Sequence, residues 1–335
     1  MPVAFRFALP GALRTDVGRM KLRNIFWPIV GAAAIIFSIW ILYHDLKGLS
    51  FHEFRQSLLA IPPSGWLLSA AATIAAYAAL AAYDHLALEH LGRRISLWFI
   101  TVASFTAYAL AHNIGASVFS GAVVRYRAYS SKGLSASEVG VLVAFCSFTF
   151  VLGTAVLFGL VLVIEPEIIE RFASFLPIEA AVSTGILILL LVALYVIGSL
   201  VGFRPIRTRW LHLEYPRPSV ALRQLLIAPV ELLAAAAIIY FVLPAAGNPG
   251  YLVVLGIFLA SFSAALLSHA PGGIGVLELI FIAALPELDP VDVLAALAVF
   301  RVFYLIVPFV LGLGAVLVFE HSRYVQASAG EDDQR

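Results

Sequence analysis

The sequence predicts an all-α integral membrane protein with about six full transmembrane helices and two re-entrant helical hairpins, arranged as an inverted-topology repeat. Three observations carry that prediction. Hydrophobic residues make up 62% of the 335 residues and charged residues 12%, with a mean hydropathy of +0.98, against about 45–50% and about 25% in ordinary globular chains. So few charges do not cover the surface of a water-soluble protein of this length. The apolar residues gather into runs long enough to cross a bilayer core of about 30 Å, which takes about 20 residues of helix. Two of those runs, Leu97–Val124 and Tyr251–Leu285, are anomalous and carry breaks of Gly, Asn or Pro inside them. The composition excludes a secreted disulfide scaffold, a nucleic-acid binder and a disordered regulator. The single cysteine, Cys146, lies in an apolar run and has no partner for a disulfide within the chain.

Residues 1–24 form an arm with Arg6, Arg14, Arg19, Lys21 and Arg23, and basic residues gather on the cytoplasmic side of a membrane. The first span, Ile25–Tyr43, therefore runs outward. A basic arm before an apolar run also resembles a secretory signal. Tyr43 is followed by His44-Asp45-Leu46-Lys47 and not by a small-residue cleavage site, so a retained helix is expected. Trp66–Tyr83 returns the chain to Arg93 and Arg94, inside. If Leu97–Val124 crossed the membrane, Arg125, Arg127 and Lys132 would lie outside and every later loop would be inverted. A hairpin entered from the cytoplasm avoids this, with about 97–112 descending, a break at His112-Asn113-Ile114-Gly115 and about 117–130 returning.

Val139–Ile164 then runs outward to a loop with Glu165, Glu167, Glu170 and Glu179 against the lone base Arg171. Ala180–Phe203 runs inward to Arg204, Arg207, Arg209 and Arg217, and Val220–Leu243 runs outward again. Tyr251–Leu285 is the second hairpin, entered from the other side, broken at Pro271-Gly272-Gly273-Ile274-Gly275 and returned to the acidic loop of Glu287, Asp289 and Asp292. Val293–Phe319 is the last span and 321–335 a cytoplasmic tail. Both termini are then cytoplasmic. Of the 21 Lys and Arg, 17 fall inside, counting Arg223 at the inner start of its span, 3 outside and one, Arg301, deep within a span.

Laid on itself at an offset of 154, the chain aligns Gly121 with Gly275, Leu134 with Leu288, Glu138 with Asp292, Val139 with Val293 and Ala144 with Ala298. The membrane domain of residues 25–320 thus divides into repeat A, about 27–165, and repeat B, about 181–319. Two copies of opposite topology, each with an interrupted helix, are the arrangement of many secondary transporters.

The two breaks carry the candidate substrate-binding residues. At the first, His112 and Asn113 precede a helix that contains Ser120, Gly121, Arg125 and Arg127. The start of such a helix presents free N–H groups and a positive dipole end to an anion, and Arg donates two parallel hydrogen bonds to a phosphate. The competing reading is that Arg125 and Arg127 snorkel to headgroups. At the second break, Pro271 stops the helix while Gly272, Gly273 and Gly275 permit unusual dihedrals. His269 flanks that break and Glu278 follows it. A buried carboxylate needs a partner or a proton. Arg301, about 12 Å into the last span at about 1.5 Å per residue, is the expected partner of Glu278. That pair reads either as a structural lock or as a gate. Glu231, just after Pro229 in the sixth span, is a candidate for the same reason, with a hydrogen bond to a neighbouring helix as the alternative. No metal site and no cofactor is expected: among His112, His269 and Glu278, the conceivable ligands, no pair has i, i+4 spacing, and there is no H-E-x-x-H, no nucleotide-binding loop and no Gly-x-Ser-x-Gly elbow. Without a catalytic constellation, the protein is not expected to be an enzyme.

The run Ser104-Phe105-Thr106-Ala107-Tyr108 through His112-Asn113-Ile114-Gly115, Ser120-Gly121, Arg125-Tyr126-Arg127 and Gly133-Leu134-Ser135, followed by Ala270-Pro271-Gly272-Gly273-Ile274-Gly275-Val276-Leu277-Glu278, resembles the membrane region of the bacterial lysylphosphatidylglycerol synthase/flippase (multiple peptide resistance factor) family. The resemblance covers about residues 25–320, and Pro-Gly-Gly-x-Gly-x-x-Glu is its most specific motif. It implies a cytoplasmic-membrane protein that moves a phospholipid, in that family an aminoacylated phosphatidylglycerol, between leaflets. With about 15 residues after the last span, the family's synthase chemistry is expected to be absent. The expected partners are a membrane phospholipid, a separately encoded aminoacyltransferase and further copies of the chain. The reading from a different class is a non-transporting membrane scaffold or lipid-binding partner of a separate lipid-modifying enzyme.

Overall fold

The computed structural model describes residues 51–332 apart from 115–116, 173–176, 203–205, 208–211, 214–215 and 269–270, so the basic arm and the expected span Ile25–Tyr43 lie outside the described residues. The elements are helical, save for one two-residue antiparallel ladder of β1 (Ile206–Arg207) with β2 (His212–Leu213). α1 (Phe51–Ala60) packs against α10 (Pro290–Phe300).

The centre of the molecule is an antiparallel pair, α2 (Pro63–His90) and α7 (Pro218–Tyr240). Both start with Pro in the first turn, where a missing N–H costs nothing. Ser69 donates to the Ile238 carbonyl at 2.8 Å and Tyr83 to that of Ala228 at 2.6 Å, and at one end Arg223 and Glu89 pair at 2.6 Å. α5 (Ala136–Ile164) crosses α7 so closely that a Cβ on Gly153 would stand 2.5 Å from the Ala228 carbonyl oxygen. Its start is fixed by a capping box, the Ser135 side chain taking the Glu138 N–H and Glu138 taking that of Ser135. α6 (Ile178–Val201) packs on α5 at Gly159 and Gly185 and leaves most of its apolar surface on the outside, where lipid replaces water as the solvent.

Each anomalous run folds into two helices. α3 (Leu97–Ile114) and α4 (Ser117–Ser130) lie antiparallel: Gly121 rests on Ala111, the Arg125 guanidinium lies over the Tyr108 ring, and Phe99 meets Tyr129 and Lys132. α8 (Tyr251–Ser268), a 3₁₀ turn (Pro271–Gly273) and α9 (Val276–Ala284) fold back likewise, with Gly273 against Ala265 at the tip and Gly247 against Glu287 at the open end. At 18 residues and about 27 Å, α8 is by itself long and apolar enough to cross a membrane, whereas the 9 residues of α9 span about 13 Å. The open end of α3–α4 lies at the end of the bundle that holds His90 and Pro218. That of α8–α9 lies at the opposite end, where Arg171 bonds both the Ala284 carbonyl and Glu287. That guanidinium holds the Glu287 carboxyl below the usual carboxylate range.

α10 continues through a π-helical turn (Arg301–Ile306) into α11 (Val307–Asp332). Pro308 removes the N–H that the Tyr304 carbonyl would accept in a regular helix, and the Tyr77 hydroxyl supplies the bond instead at 2.9 Å. α11 runs back along α3, with Gly312 against Leu110, Ala109 and Thr106. Shifting the bounds of α3 by 154 gives residues 251–268, those of α8, and α5 shifted likewise spans 290–318, the length of α10 to α11 inside the apolar region.

Candidate functional site

The tips of the two helix pairs meet at the π turn, and the candidate residues divide around it. Arg301 opens that turn. Its Nε and Nη2 reach Glu278 Oε1 at 2.8 and 2.5 Å, its Nη1 the Gly272 carbonyl at 2.7 Å, and Glu278 Oε2 takes the Gly275 N–H at 2.8 Å. Gly272, Gly273 and Gly275 all have positive φ (59°, 65° and 83°), which side chains resist, and the Gly272 and Gly273 carbonyls face Arg301. The Glu278–Arg301 pair expected from the sequence is thus formed, and it clips the turn between α8 and α9 to the last helix.

On the other side of the π turn, Asn113 donates to the Leu305 carbonyl at 3.1 Å and to Ala109 at 2.8 Å. The His112 ring stacks on Tyr304 at 5.1 Å, and its buried Nδ1 has no hydrogen-bond partner among the described residues. Tyr304 donates a short hydrogen bond to Glu231 Oε1, while Glu231 Oε2 has no partner among the described residues. Glu231 is 1% exposed. His269 lies outside the described residues.

Arg125 does not snorkel. It is 4% exposed, and its Nε and Nη2 edge grips Asp84 at 2.8 to 3.2 Å. Asp84, fully buried on α2, also accepts from the Tyr129 hydroxyl at 2.8 Å and the Cys146 thiol at 3.4 Å. The fork expected to face a phosphate is therefore engaged by a carboxylate. The Nη1 edge turns to Gly121, where a Cβ would stand 3.2 Å from it. Ser120 and Gly121 lie at the start of α4, and Arg127 is exposed farther along it.

The residue that sequence reasoning missed is Asp84. It ends the charge-free stretch Trp66–Tyr83, which makes it look like the first loop residue. The usable signal was that Leu86, Ala87 and Leu88 continue the helix beyond it, and all three are buried. No group of three or more His, Cys, Asp or Glu able to hold a metal occurs among the described residues. A cavity of about 270 Å³ lined by Phe158, Ile168, Phe172, Ala181, Thr184 and Gly256 lies between α5, α6 and α8 and contains none of the candidate side chains.

A helical bundle of membrane-spanning length, with two antiparallel helix pairs that open at opposite ends and charged side chains paired inside it, defines the class: a polytopic membrane protein with a polar junction inside it. The chain belongs to the family described as the lysylphosphatidylglycerol synthase TM region, whose pattern it matches over residues 29–312. It is similar to the uncharacterized protein slr0712 of Synechocystis, 28% identical over 321 residues that cover 94% of this chain and 98% of the relative. It is also similar to the inner membrane protein YbhN of Escherichia coli, 31% identical over 260 residues, 76% of this chain and 80% of the relative.

Proposed function

We propose that the protein is a lipid translocase of the bacterial cytoplasmic membrane, carrying a phospholipid between leaflets without chemical change to it. One observation supports this reading above the others: the breaks of two oppositely inserted helix pairs meet at a buried polar junction. Irregular backbone at membrane depth is tolerated where protein or a water-filled cavity covers it, and paired interrupted helices of inverted sense are how many transporters build a site that opens alternately to each side. In this reading both pairs are re-entrant, repeats A and B rock against each other, and the end bearing Arg93, Arg94 and Lys132 faces the cytoplasm with both termini.

The substrate class follows from the charges. A phosphate approaches the first break, where His112, Ser120, the Nη1 edge of Arg125 and, nearer the surface, Arg127 supply donors. A cationic headgroup such as that of lysylphosphatidylglycerol, the lipid in the family's name, finds Glu231 and Glu278 on the other side. A separately encoded aminoacyltransferase would supply that lipid, and further copies of the chain complete the expected partners.

The test is leaflet exchange in liposomes containing the purified chain, using fluorescent phosphatidylcholine, phosphatidylglycerol and lysylphosphatidylglycerol with a membrane-impermeant quencher. Protein-dependent exchange of the anionic or aminoacylated lipid, beyond protein-free liposomes, is expected. Binding of those lipids without exchange would sink the translocase and leave a lipid-binding scaffold.

A further inference from the structure

We propose that the Glu231 carboxyl is a proton-binding site, loaded in the packed junction described above and emptied when the π turn and the tips of the two helix pairs separate. Glu231 is buried on α7, two residues after Pro229, and only one of its oxygens is engaged, by Tyr304. Its Oε2 is buried with no donor among the described residues. An ionised carboxylate in such a place requires a counter-charge or several donors.

Neither is at hand among the described residues. The guanidiniums inside the bundle are committed, Arg301 to Glu278 and the Gly272 carbonyl, Arg125 to Asp84. The titratable groups around Glu231 are phenols: Tyr304 of the π turn, which bonds it, and Tyr77 and Tyr83 of α2, which give their hydroxyls to the Tyr304 and Ala228 carbonyls. Behind them stand His112 of α3, stacked on Tyr304, and Cys146 of α5, bonded to Asp84. Tyr251 of α8 gives its hydroxyl to the Leu233 carbonyl. The packing thus accommodates the neutral acid, with the proton on Oε2. Loading transfers a proton from hydronium to that oxygen and leaves water; unloading returns it to water that enters the opened junction.

The element that must move is identified by its bonds. Within six residues the π turn holds Glu231 through Tyr304, the second helix pair through Arg301, and the first through the Leu305 carbonyl and Asn113. A charge on Glu231 draws in water, and the surface that opens to admit it is the one to which both pairs are tied. The role of this proton in turnover rests on the translocase reading; the proton site itself rests on the geometry alone.

The two are separable by infrared difference spectroscopy of the full chain in lipid nanodiscs, followed by exchange assays under a pH gradient. The spectrum of the wild type is expected to show a protonated-carboxyl band that shifts in deuterated water, moves on ¹³C-glutamate but not ¹³C-aspartate labelling, and is lost as the pH is raised. It should vanish in Glu231→Gln and persist in Glu278→Gln. The isotope arm needs no variant, so a misfolded Glu231→Gln does not block the test. Absence of a glutamate-derived band from mildly acidic to mildly alkaline pH overturns the proton site. A band without any effect of an imposed pH gradient on lipid exchange overturns its coupling to transport. A persistent band in a protein that exchanges no lipid upholds the site and removes the translocase reading instead.

Discussion

Arg125 and Asp84 form the most deeply buried ion pair among the described residues, with side-chain exposures of 5% and 0%. Removing charges from water is costly, and here the geometry offsets that cost: a forked guanidinium contact plus the Tyr129 hydroxyl supply the Asp84 oxygens. Asp84→Asn or Arg125→Met alone should each lower stability by about 3–5 kcal/mol, because the remaining charge is left unpaired, while Asp84→Leu with Arg125→Met should recover most of the loss. Unfolding of the detergent-solubilised variants measures this, and a double variant whose loss is the sum of the singles would show the two charges to be uncoupled. The contrast with Glu278 and Arg301 shows what a sequence reveals about a buried charge. Both of those lie inside apolar runs, so each advertises its need for the other. Asp84 sits beside a stretch boundary, and its partner is 41 residues farther on, so the cue to its burial is the short apolar run Leu86-Ala87-Leu88 and not a visible partner.

The helices are set by the glycines and prolines that decide how closely they approach. Gly153→Ala places a methyl against the Ala228 backbone, which cannot rotate away, and should destabilise by about 1–3 kcal/mol through forced separation of α5 and α7. Gly140→Ala on the same helix meets nothing within 4 Å and should be neutral or stabilising by up to about 1 kcal/mol. Thermal unfolding of the two variants compares them directly, and equal shifts would refute the close crossing. Both helix breaks were legible, since Asn, Gly and Pro interrupt runs that are otherwise uniformly apolar. The π turn was not, because one inserted residue leaves the hydropathy of Arg301–Ile306 unchanged. Spans also run past their charge-free windows: α2 continues through Asp84 and Glu89 to His90, since a long side chain or a paired carboxylate carries a helix beyond the point where composition alone would stop it.

At the scale of the molecule, the charges outside the bundle are segregated. Arg93, Arg94 and Lys132 cluster at the end where the first helix pair opens, and Glu165, Glu167, Glu170 and Asp289 at the end where the second opens. Segregation of this kind is what sets orientation in a membrane. With Cys146 replaced by Ala, a cysteine at exposed Lys132 should be blocked only by thiol reagents that reach the cytoplasm. One at exposed Glu167 should be labelled from outside intact cells. Labelling of both from one side would dismantle the opposed insertion of the two pairs. The order of elements was legible from these charges, but the meeting of the two tips was not, because it depends on contacts between residues such as Asn113 and Leu305, 192 positions apart.

The two ion pairs inside the bundle, one buried and one half-buried, also constrain the order in which the protein is made. A carboxylate or guanidinium is costly in hydrocarbon until its partner arrives, and α9, with 9 residues, is far short of the roughly 20 needed for a span of its own. Asp84 leaves the ribosome 41 residues ahead of Arg125, and Glu278 leaves it 23 ahead of Arg301. In each case the acid is synthesised first and the base follows on a later helix. Integration of α2 is therefore completed only when Arg125 arrives on α4, and that of the second helix pair only when Arg301 enters the membrane, so a nascent chain halted before Arg301 holds α9 at the translocon without its clasp.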